Sequence, residues 1–322
     1  MAGKLYGALD LGSNTFRLIL AEAGRDGRGP DPATRKVWQE IPRISEGLEE
    51  GKPFGKEPLA RAWKALDGFA EKVSAGRPER VLAGCTMAAR MASDGEEFAG
   101  RIAERYGWET AVLTGREEAT LSAAGALGSL DPPPPRSVVF DIGGRSTEFV
   151  ACTGAAPTAV ASLPVGVVGL KELLIRNDPP AAAEMAELED RVGNALSGAP
   201  APPDGGGPVT LLGTAGTVTT MAAMLLGIDG YRPELVHGAR ISRSAVEGLY
   251  RETAGESAAR RALRPGLHPM RADVIVCGLA LVLGILDRYR SDGLVVSDCG
   301  LLEGLWKAAS GMEIVGSRSG GP

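Results

Sequence analysis

A short segment near the start of the chain recurs in its middle, and this repeat limits the possible folds more than any other feature. Residues 10–18 (DLGSNTFRL) align without gaps on residues 141–149 (DIGGRSTEF). In each copy an apolar run leads through Asp-x-Gly and a polar turn into a second run, the pattern of a β-hairpin. Two copies of one supersecondary unit predict two similar lobes facing each other across a cleft.

A proline run divides the sequence between the two copies. Asp131 is followed by Pro132–Pro135, and such a run cannot continue a helix or a central strand. We expect one lobe over residues 1–130 and a second over 131–299, while a final helix over about 300–322 could pack back on the first lobe. Short apolar runs alternate with helical patterns, which predicts an α/β fold class.

The overall charge limits the ligands that the chain can bind. Its 322 residues carry a formal net charge of −5, which argues against a nucleic-acid partner because such proteins present a broad basic face. A polyanion held locally by arginines and backbone N–H groups is still compatible with this charge.

The sequence indicates a cytoplasmic protein without a membrane anchor. Its four cysteines form no Cys-x-x-Cys pair, as expected for reduced thiols in the cytosol. The first residues do not resemble a signal peptide. The longest apolar run, 274–286, suits a buried helix but is too short to cross a bilayer.

Three turns that follow predicted strands are rich in glycine and hydroxyl residues: 10–15, 141–147 and 213–217. Glycine lets the backbone approach a phosphate closely, and successive N–H groups with Ser and Thr hydroxyls can bind its oxygens. The third turn also opens a helix, whose N-terminus favours anions. One such turn is weak support, but three together indicate phosphate binding. The candidate ligands are Gly12, Ser13, Asn14, Gly143, Gly144, Ser146, Thr147, Gly213, Thr214, Gly216 and Thr217.

Charged residues near these turns form a second set of candidates. Arg17 and Arg90 carry guanidinium groups that match phosphate oxygens, although either alone could form an ordinary surface ion pair. Asp10, Asp141 and Glu148 could hold Mg²⁺, which binds one or two carboxylates beside substrate phosphates. The alternative for the two aspartates is a turn-capping role.

Two acids and two histidines have structural interpretations. Glu117 and Glu118 open a predicted helix, where acidic side chains interact favourably with the helix dipole. His237 and His268 belong to no catalytic or metal-binding pattern, so we interpret both as structural.

An ordered series of motifs resembles the exopolyphosphatase/guanosine-pentaphosphatase (Ppx/GppA) family. That family belongs to the superfamily of acetate kinases, sugar kinases, heat-shock chaperones and actin, so the resemblance implies two actin-like, ribonuclease H-like lobes with a cleft between them. The matches run through nearly the whole chain: ALDLGSNTFRL (8–18), TMAAR (86–90), GEEF (95–98), GREEA (115–119), DIGGRSTE (141–148), SLPVG (162–166), GTAGT (213–217), VHG (236–238), PGL (265–267), RAD (271–273) and SDCGLLEG (297–304).

The resemblance implies a function and assigns several residues to it. In the family the second Glu of Gly-x-Glu-Glu-Ala is the catalytic base, which falls on Glu118, and Arg90 falls on a phosphate-contacting arginine. The implied reaction is in-line attack of water on a terminal phosphate, assisted by Mg²⁺ or another divalent cation. The implied substrates are inorganic polyphosphate and guanosine pentaphosphate, and a homodimer is expected.

The chain departs from the family pattern in one turn and in its length. The family usually has Gly where this chain has Arg145, which would be strained if the position needs a positive φ and would otherwise add a cation at the phosphate. The residue at the equivalent position of the repeat is Asn14, which favours the cation, so Arg145 joins the candidate phosphate ligands. Long family members have extra C-terminal helical domains, so a chain ending at Pro322 is expected to prefer shorter polyphosphates.

Two other functions stay compatible with the same motifs. One is a small-metabolite kinase of the superfamily, which would transfer phosphate from ATP to an acceptor. The other is a sensor that binds polyphosphate or a guanosine alarmone without turning it over.

Overall fold

The protein is described by a computed structural model that covers residues 3–24, 29–228, 230 and 232–312; the predicted final segment is thus described only as far as residue 312. The strands in these ranges are β1 (Leu5–Leu11), β2 (Phe16–Glu22), β3 (Lys36–Glu40), β4 (Arg80–Cys85), β5 (Glu109–Val112), β6 (Arg136–Ile142), β7 (Thr147–Thr153), β8 (Ala156–Leu163), β9 (Thr210–Thr214), β10 (Arg240–Ser242) and β11 (Gly293–Val296). The helices are α1 (Lys56–Gly76), α2 (Met87–Met91), α3 (Gly95–Tyr106), α4 (Gly115–Gly128), α5 (Val167–Leu174), α6 (Ala182–Leu196), α7 (Ala215–Leu225), α8 (Pro233–Val236), α9 (Arg243–Ala254), α10 (Ala258–Arg261), α11 (Ile275–Arg288) and α12 (Leu301–Ser310).

The chain divides into two compact units. The first consists of residues 1–133, 155–157 and 299–322, and the second of 134–154 and 158–298. Each unit contains one of the two repeat copies, and each copy forms the hairpin that the sequence predicts: β1 with β2, and β6 with β7.

The first unit is built on a five-stranded sheet in the order β3-β2-β1-β4-β5. Strands β1, β2 and β3 are antiparallel neighbours, whereas β4 and β5 run parallel to β1. Parallel neighbours need a crossover, and helices α1 and α2–α3 lie in those connections.

The second unit repeats this order and extends it by one edge strand. Its sheet runs β10-β11-β9-β6-β7-β8, so that β6, β7, β8, β9 and β11 take the places of β1 to β5. Strand β9 is parallel to β6, and β11 is parallel to β9, while β7 is antiparallel to β6. The fold is therefore α/β with two units of the ribonuclease H-like, or actin-like, strand order.

Both faces of the first sheet are covered, which explains why its central strands are apolar at almost every position. Successive side chains point to opposite faces, so Leu18 and Leu20 join the cluster around α1, whereas Ile19 joins the cluster around α12. Trp306 of α12 is fully buried there and donates its indole N–H to the carbonyls of Tyr6 and Ala21.

Helix α4 is fixed in the first unit by close contact with α12. A Cβ atom added at Gly125 would lie 1.9 Å from the carbonyl oxygen of Gly300, and one at Gly304 would lie 2.0 Å from that of Leu121. The two backbones thus approach each other where only glycine fits. This contact sets the position of a helix that carries a candidate catalytic residue.

The core of the second unit is organised around α11, the buried helix that the sequence predicts. Ten of its fourteen residues are buried, and it packs against α6, α7 and α9. None of the helices in the described ranges combines the length and hydropathy that crossing a membrane requires.

The buried thiols are unreactive. Burial raises the pKa of Cys85, Cys152 and Cys277 to about 12. All four cysteines are free thiols, as the sequence indicates, and the three buried ones stay protonated near neutral pH.

Candidate active site

The candidate residues of the first unit collect at the carboxyl ends of its parallel strands, where open α/β sheets bind ligands. Asp10 lies near the end of β1, Thr86 follows β4, and Thr114 follows β5 shortly afterwards. Thr86 donates both its N–H and its hydroxyl to the carbonyl of Leu11, at 3.3 and 3.5 Å, which joins the start of α2 to the end of β1.

The first hairpin turn is closed by its own backbone. The N–H of Gly12 donates to the carbonyl of Thr15 at 3.1 Å, and a Cβ at residue 12 would lie 2.9 Å from that oxygen. Asp10 and Arg17 are direct cross-strand partners just before and after the turn. An acid and a guanidinium thus share one face of the hairpin.

A loop that the sequence analysis did not single out packs along this turn. The N–H groups of Arg43 and Ser45 donate to the carbonyls of Asn14 and Ser13, each at 3.1 Å. Arg43 adopts a left-handed φ of 51°, uncommon for a residue with a side chain. The loop therefore holds the turn from outside and leaves less than a tenth of Ser13 and Asn14 exposed.

The two glutamates that open α4 have different environments. Glu117 forms a capping box with Thr114: its N–H donates to the threonine hydroxyl at 3.2 Å, and its carboxylate accepts from the N–H of Thr114 at 2.8 Å. Glu118 is buried, with 7% of its surface exposed, and its Oε2 accepts from Nη1 of Arg90 at 2.7 Å. The capping interpretation thus holds for Glu117, while the buried Glu118 forms an ion pair with a partly buried arginine.

Arg90 is oriented by more than this one bond. Its Nη1 also donates to the carbonyl of Leu113 at 2.6 Å, at the end of β5. Since α2 places Arg90 beyond β4 and α4 places Glu118 beyond β5, parallel pairing of the two strands brings the pair together. The guanidinium thus holds the carboxylate of Glu118 at the end of β5.

The second hairpin turn repeats the closure of the first but differs in charge. The N–H of Gly143 donates to the carbonyl of Ser146 at 2.9 Å, as Gly12 does to Thr15. The cross-strand partners here are Asp141 and Glu148, two acids in the register positions of Asp10 and Arg17. The Oε1 atom of Glu148 accepts from the Ser162 hydroxyl at 2.7 Å.

Two predicted phosphate ligands in this turn make other contacts. The hydroxyl of Thr147 donates to the carbonyl of Val165 at 2.6 Å and is fully buried, since β7 directs it into the unit. Arg145 does not have a positive φ, so its backbone is unstrained, the alternative that the equivalent Asn14 favoured. Its Nη2 lies 2.5 Å from Oε2 of Glu172 on α5, so the guanidinium forms an ion pair within the protein.

The third turn adjoins the second hairpin. Strands β6 and β9 pair Asp141 with Thr214, and the Thr217 hydroxyl donates to the carbonyl of Ile142 at 3.2 Å. That carbonyl is the repeat equivalent of Leu11, which accepts from Thr86 in the first unit. Ala215, at the start of α7, has a left-handed φ of 67°, a strained backbone of the kind often found at functional sites.

An arginine outside the predicted set lies against this turn. A Cβ added at Gly216 would be 2.1 Å from Nη1 of Arg271, so the guanidinium packs directly on the first turn of α7. The sequence signal was the matched Arg-Ala-Asp segment at 271–273, whose distance along the chain from residue 216 hides the contact.

Both histidines bind backbone N–H groups, which supports their structural interpretation. Nδ1 of His237 accepts from the N–H of Asp298, and Nδ1 of His268 accepts from that of Met270, each at 3.2 Å. Burial, and then the nearby charge of Arg271, lower the pKa of His268.

The family of the chain follows from comparison with known proteins. The model of the Ppx/GppA phosphatase family matches residues 37–309. The chain belongs to the Ppx/GppA phosphatase family. Exopolyphosphatase 2 of Mycobacterium tuberculosis is 30% identical over 325 residues, covering 97% of this chain and 100% of that protein.

Solved structures of the family have the same fold. A Ppx/GppA family member from Aquifex aeolicus matches with a TM-score of 0.80 and 27% identity, covering 96% of this chain and 99% of that one. An exopolyphosphatase from Cytophaga hutchinsonii reaches a TM-score of 0.83 at 22% identity, covering 97% and 99%, which shows the fold alone.

Phosphatases of the Ppx/GppA family generally depend on a divalent metal, and the second hairpin fits one. Two carboxylates directly opposite each other repel, so the pairing of Asp141 with Glu148 suits a bound cation. The described residues contain no cluster of three or more His, Cys, Asp or Glu side chains arranged for a metal. A pair is sufficient for Mg²⁺, which keeps several waters and takes oxygens from substrate phosphates.

The predicted site residues of this Ppx/GppA protein fall into two groups, one in each unit. The first unit holds Asp10, Gly12, Ser13, Asn14, Arg17, Arg90 and Glu118; the second holds Asp141, Gly143, Gly144, Arg145, Ser146, Thr147, Glu148, Gly213, Thr214, Gly216 and Thr217. The sequence analysis missed the loop around Arg43, the partner Glu172 and the guanidinium of Arg271.

Proposed function

We propose that the chain releases terminal orthophosphate from inorganic polyphosphate, guanosine pentaphosphate or both, by attack of water on the terminal phosphorus. The observation that carries the proposal is the ion pair between the buried Glu118 and the partly buried Arg90 at the carboxyl ends of two parallel strands. Family membership and the similarity to an exopolyphosphatase support it.

Glu118 would act as the general base. Its carboxylate is mostly shielded from solvent and is held in one orientation by Arg90, as a group that orients and deprotonates a single water must be. Arg90 holds this carboxylate in place, and its guanidinium can also attract a phosphate oxygen. We keep Arg90 and Arg17 as proposed phosphate ligands in the first unit.

The turns of the second unit would bind the phosphate. The backbone N–H of Gly144 in the second hairpin turn, and that of Gly216 at the start of α7, offer donors that stabilise negative charge in the transition state. Arg271 adds a cation beside Gly216. The Thr147 hydroxyl is already donated to Val165, so we leave this residue out of the proposed ligands.

Asp141 and Glu148 would hold the divalent cation, which when bound neutralises charge on the substrate oxygens. Asp10 was predicted to join them, but its cross-strand partner is Arg17 rather than a second acid. The role of Asp10 as a metal ligand stays a prediction.

The test is phosphate release with Mg²⁺ from polyphosphates of defined length, guanosine pentaphosphate and ATP, assayed side by side. Glu118→Gln preserves shape but removes the basic carboxylate, so release should fall by about 10²–10⁴-fold while substrate binding persists. Glu117→Gln is the matched control: it can still accept the capping hydrogen bond and should keep near-normal release.

Each alternative has its own signature in this assay. A kinase would consume ATP only with an acceptor, and a sensor would bind substrate without turnover. Unchanged release by Glu118→Gln would show that another group activates the water. A homodimer and a cytoplasmic location stay predictions, and light scattering and cell fractionation would check them.

A further inference from the structure

Arg145 lies in the turn at residues 141–147, the second of the three turns predicted to bind phosphate, but its side chain extends towards helix α5. Nη2 of Arg145 is 2.5 Å from Oε2 of Glu172, and 11% of the arginine side chain and 31% of the glutamate side chain are exposed. A Cβ added at Gly169 would lie 3.8 Å from Cδ of Arg145, ordinary contact distance, so the arginine stem packs over this glycine. Gly169 and Glu172 are three residues apart and share one face of α5.

The backbone of the same turn is bound to the start of α5. The N–H of Val167 donates to the carbonyl of Gly143 at 3.1 Å, and that of Val168 to Gly144 at 2.7 Å. A Cβ at Gly166 would lie 2.5 Å from the backbone N of Arg145, so only glycine permits this approach. Backbone bonds at the beginning of the helix and a side-chain ion pair one turn later thus join turn and helix.

We propose that Arg145 is a positioning residue that, together with Glu172, fixes the Gly143–Ser146 turn on α5 and so aims its N–H groups at the phosphate. The inference rests on the proposed function. It changes the expectation drawn from the sequence, in which the Arg145 charge contacts the phosphate directly. The repeat gives a natural comparison, since Asn14 occupies the equivalent place in a turn held instead by backbone bonds from Arg43 and Ser45.

A double-mutant cycle on the full-length protein tests the pair. Arg145→Asn introduces the residue found in the other repeat copy, Glu172→Gln removes only the partner's charge, and the double variant closes the cycle. The readouts are kcat and KM for tripolyphosphate, the inhibition constant of orthophosphate, and the urea midpoint as a check on folding. A slightly misplaced binding group can cost up to about a hundredfold, so we expect roughly tenfold losses from each single change, mainly in KM.

The expected pattern is that the double variant is no worse than either single variant, because both changes break one interaction. Arg145→Lys should recover part of the loss, since an ammonium can still pair with Glu172 but lacks the planar fork. The inference is wrong if Glu172→Gln leaves KM unchanged or lowers it while Arg145→Asn raises it, the signature of an arginine that contacts phosphate directly. It is also wrong if the urea midpoint falls without any change in KM.

Failure of the proposed function would look different. A wild-type protein that releases no phosphate from any tested substrate overturns that proposal. The cycle can then be measured on the dissociation constant of orthophosphate, and additive or absent effects there would overturn the role of the pair independently.

Discussion

The two hairpins of the repeat have the same backbone and different chemistry. In both, a glycine N–H closes the turn onto the carbonyl three residues later, and in both a threonine hydroxyl from a later segment binds the carbonyl at the end of the first strand. The cross-strand pair beside the turn is Asp10 with Arg17 in one copy and Asp141 with Glu148 in the other. One hairpin geometry thus carries a balanced pair of charges in one unit and an acidic pair in the other.

This difference teaches which part of the repeat is fixed by folding and which by function. The hairpin register, the glycines and the buried apolar strands recur because the same sheet order needs them in each unit. The charged residues need not recur, since their contribution depends on what they bind. The predictions below test this division, starting with the charges and ending with buried hydroxyl groups.

Among the changes that compare the two hairpins, the largest effect is expected from the acidic pair. Glu148→Gln should lower the affinity for Mg²⁺, so that the concentration giving half-maximal phosphate release rises by about ten- to a hundredfold. Arg17→Gln, at the equivalent register position, should raise KM by about tenfold, because it removes the proposed charge-assisted hydrogen bond to a substrate phosphate. It should leave the Mg²⁺ requirement unchanged. Mg²⁺ titrations of both variants check this, and a shifted requirement in Arg17→Gln alone would reverse the assignment.

The two hairpins were predictable from the sequence, whereas the contacts between charged side chains near them were not. Alternation of apolar runs with Asp-x-Gly turns is a local signal, so β1–β2 and β6–β7 follow from the residues themselves. Contact of Arg90 with Glu118 depends on which strands are neighbours, and no local pattern encodes that. Resemblance to a family suggested their importance, but it did not show that the two bind each other.

Other differences have equally local reasons. The edge strand β3 has an irregular, largely exposed pattern, so it lacks the alternation that marks a strand. Thr147 looked like a phosphate ligand because it ends a hydroxyl-rich turn, yet the strand that begins there points its side chain inward. Arg145 was expected at the phosphate because a sequence shows a charge but not the Glu172 that pairs with it.

The next prediction concerns the helices that cover the two sheets. Gly125→Ala should destabilise the protein by about 3 kcal/mol, because the added Cβ would clash with the rigid carbonyl of Gly300. The atoms nearest to a Cβ at Gly284 in α11 belong to the side chains of Val192 and Leu196, which can shift more easily than a backbone carbonyl, and Gly284→Ala gains helix propensity. Its net cost should be below about 1 kcal/mol. Urea denaturation of both variants measures the difference, and equal costs would contradict the distinction between backbone and side-chain contact.

A smaller effect is expected where strands β4 and β9 lead into the helices that follow them, α2 and α7. The N-cap residues Thr86 of α2 and Thr214 of α7 both have a negative φ, but the residue after Thr214, Ala215, has a φ of 67°. Ala215→Gly should therefore stabilise the protein by about 1 kcal/mol by relieving strain. The same change at Ala222, inside α7, should destabilise it by at least about 1 kcal/mol. A stabilised Ala215→Gly variant with reduced kcat would indicate that the strained backbone helps to aim the turn.

The smallest effect is expected from the hydroxyl of Ser137, which like that of Thr147 is buried only in the second hairpin. Among the described residues, the Ser137 hydroxyl has no hydrogen-bond partner, whereas the Thr147 hydroxyl donates to Val165 at 2.6 Å. The equivalent positions in the first hairpin are Tyr6 and Phe16, so neither hydroxyl is needed for the shared backbone.

Ser137→Ala should change the free energy of unfolding by no more than about 0.5 kcal/mol, or increase it, because it removes a buried polar group that gains nothing on folding. Thr147→Val should cost about 1–2 kcal/mol, since it leaves the Val165 carbonyl without its donor. Because both side chains are fully buried and lie in one hairpin, a loss in Ser137→Ala as large as that in Thr147→Val would mean that the serine hydroxyl is bound in solution, and the second hairpin would then depend on its polar groups more than the first.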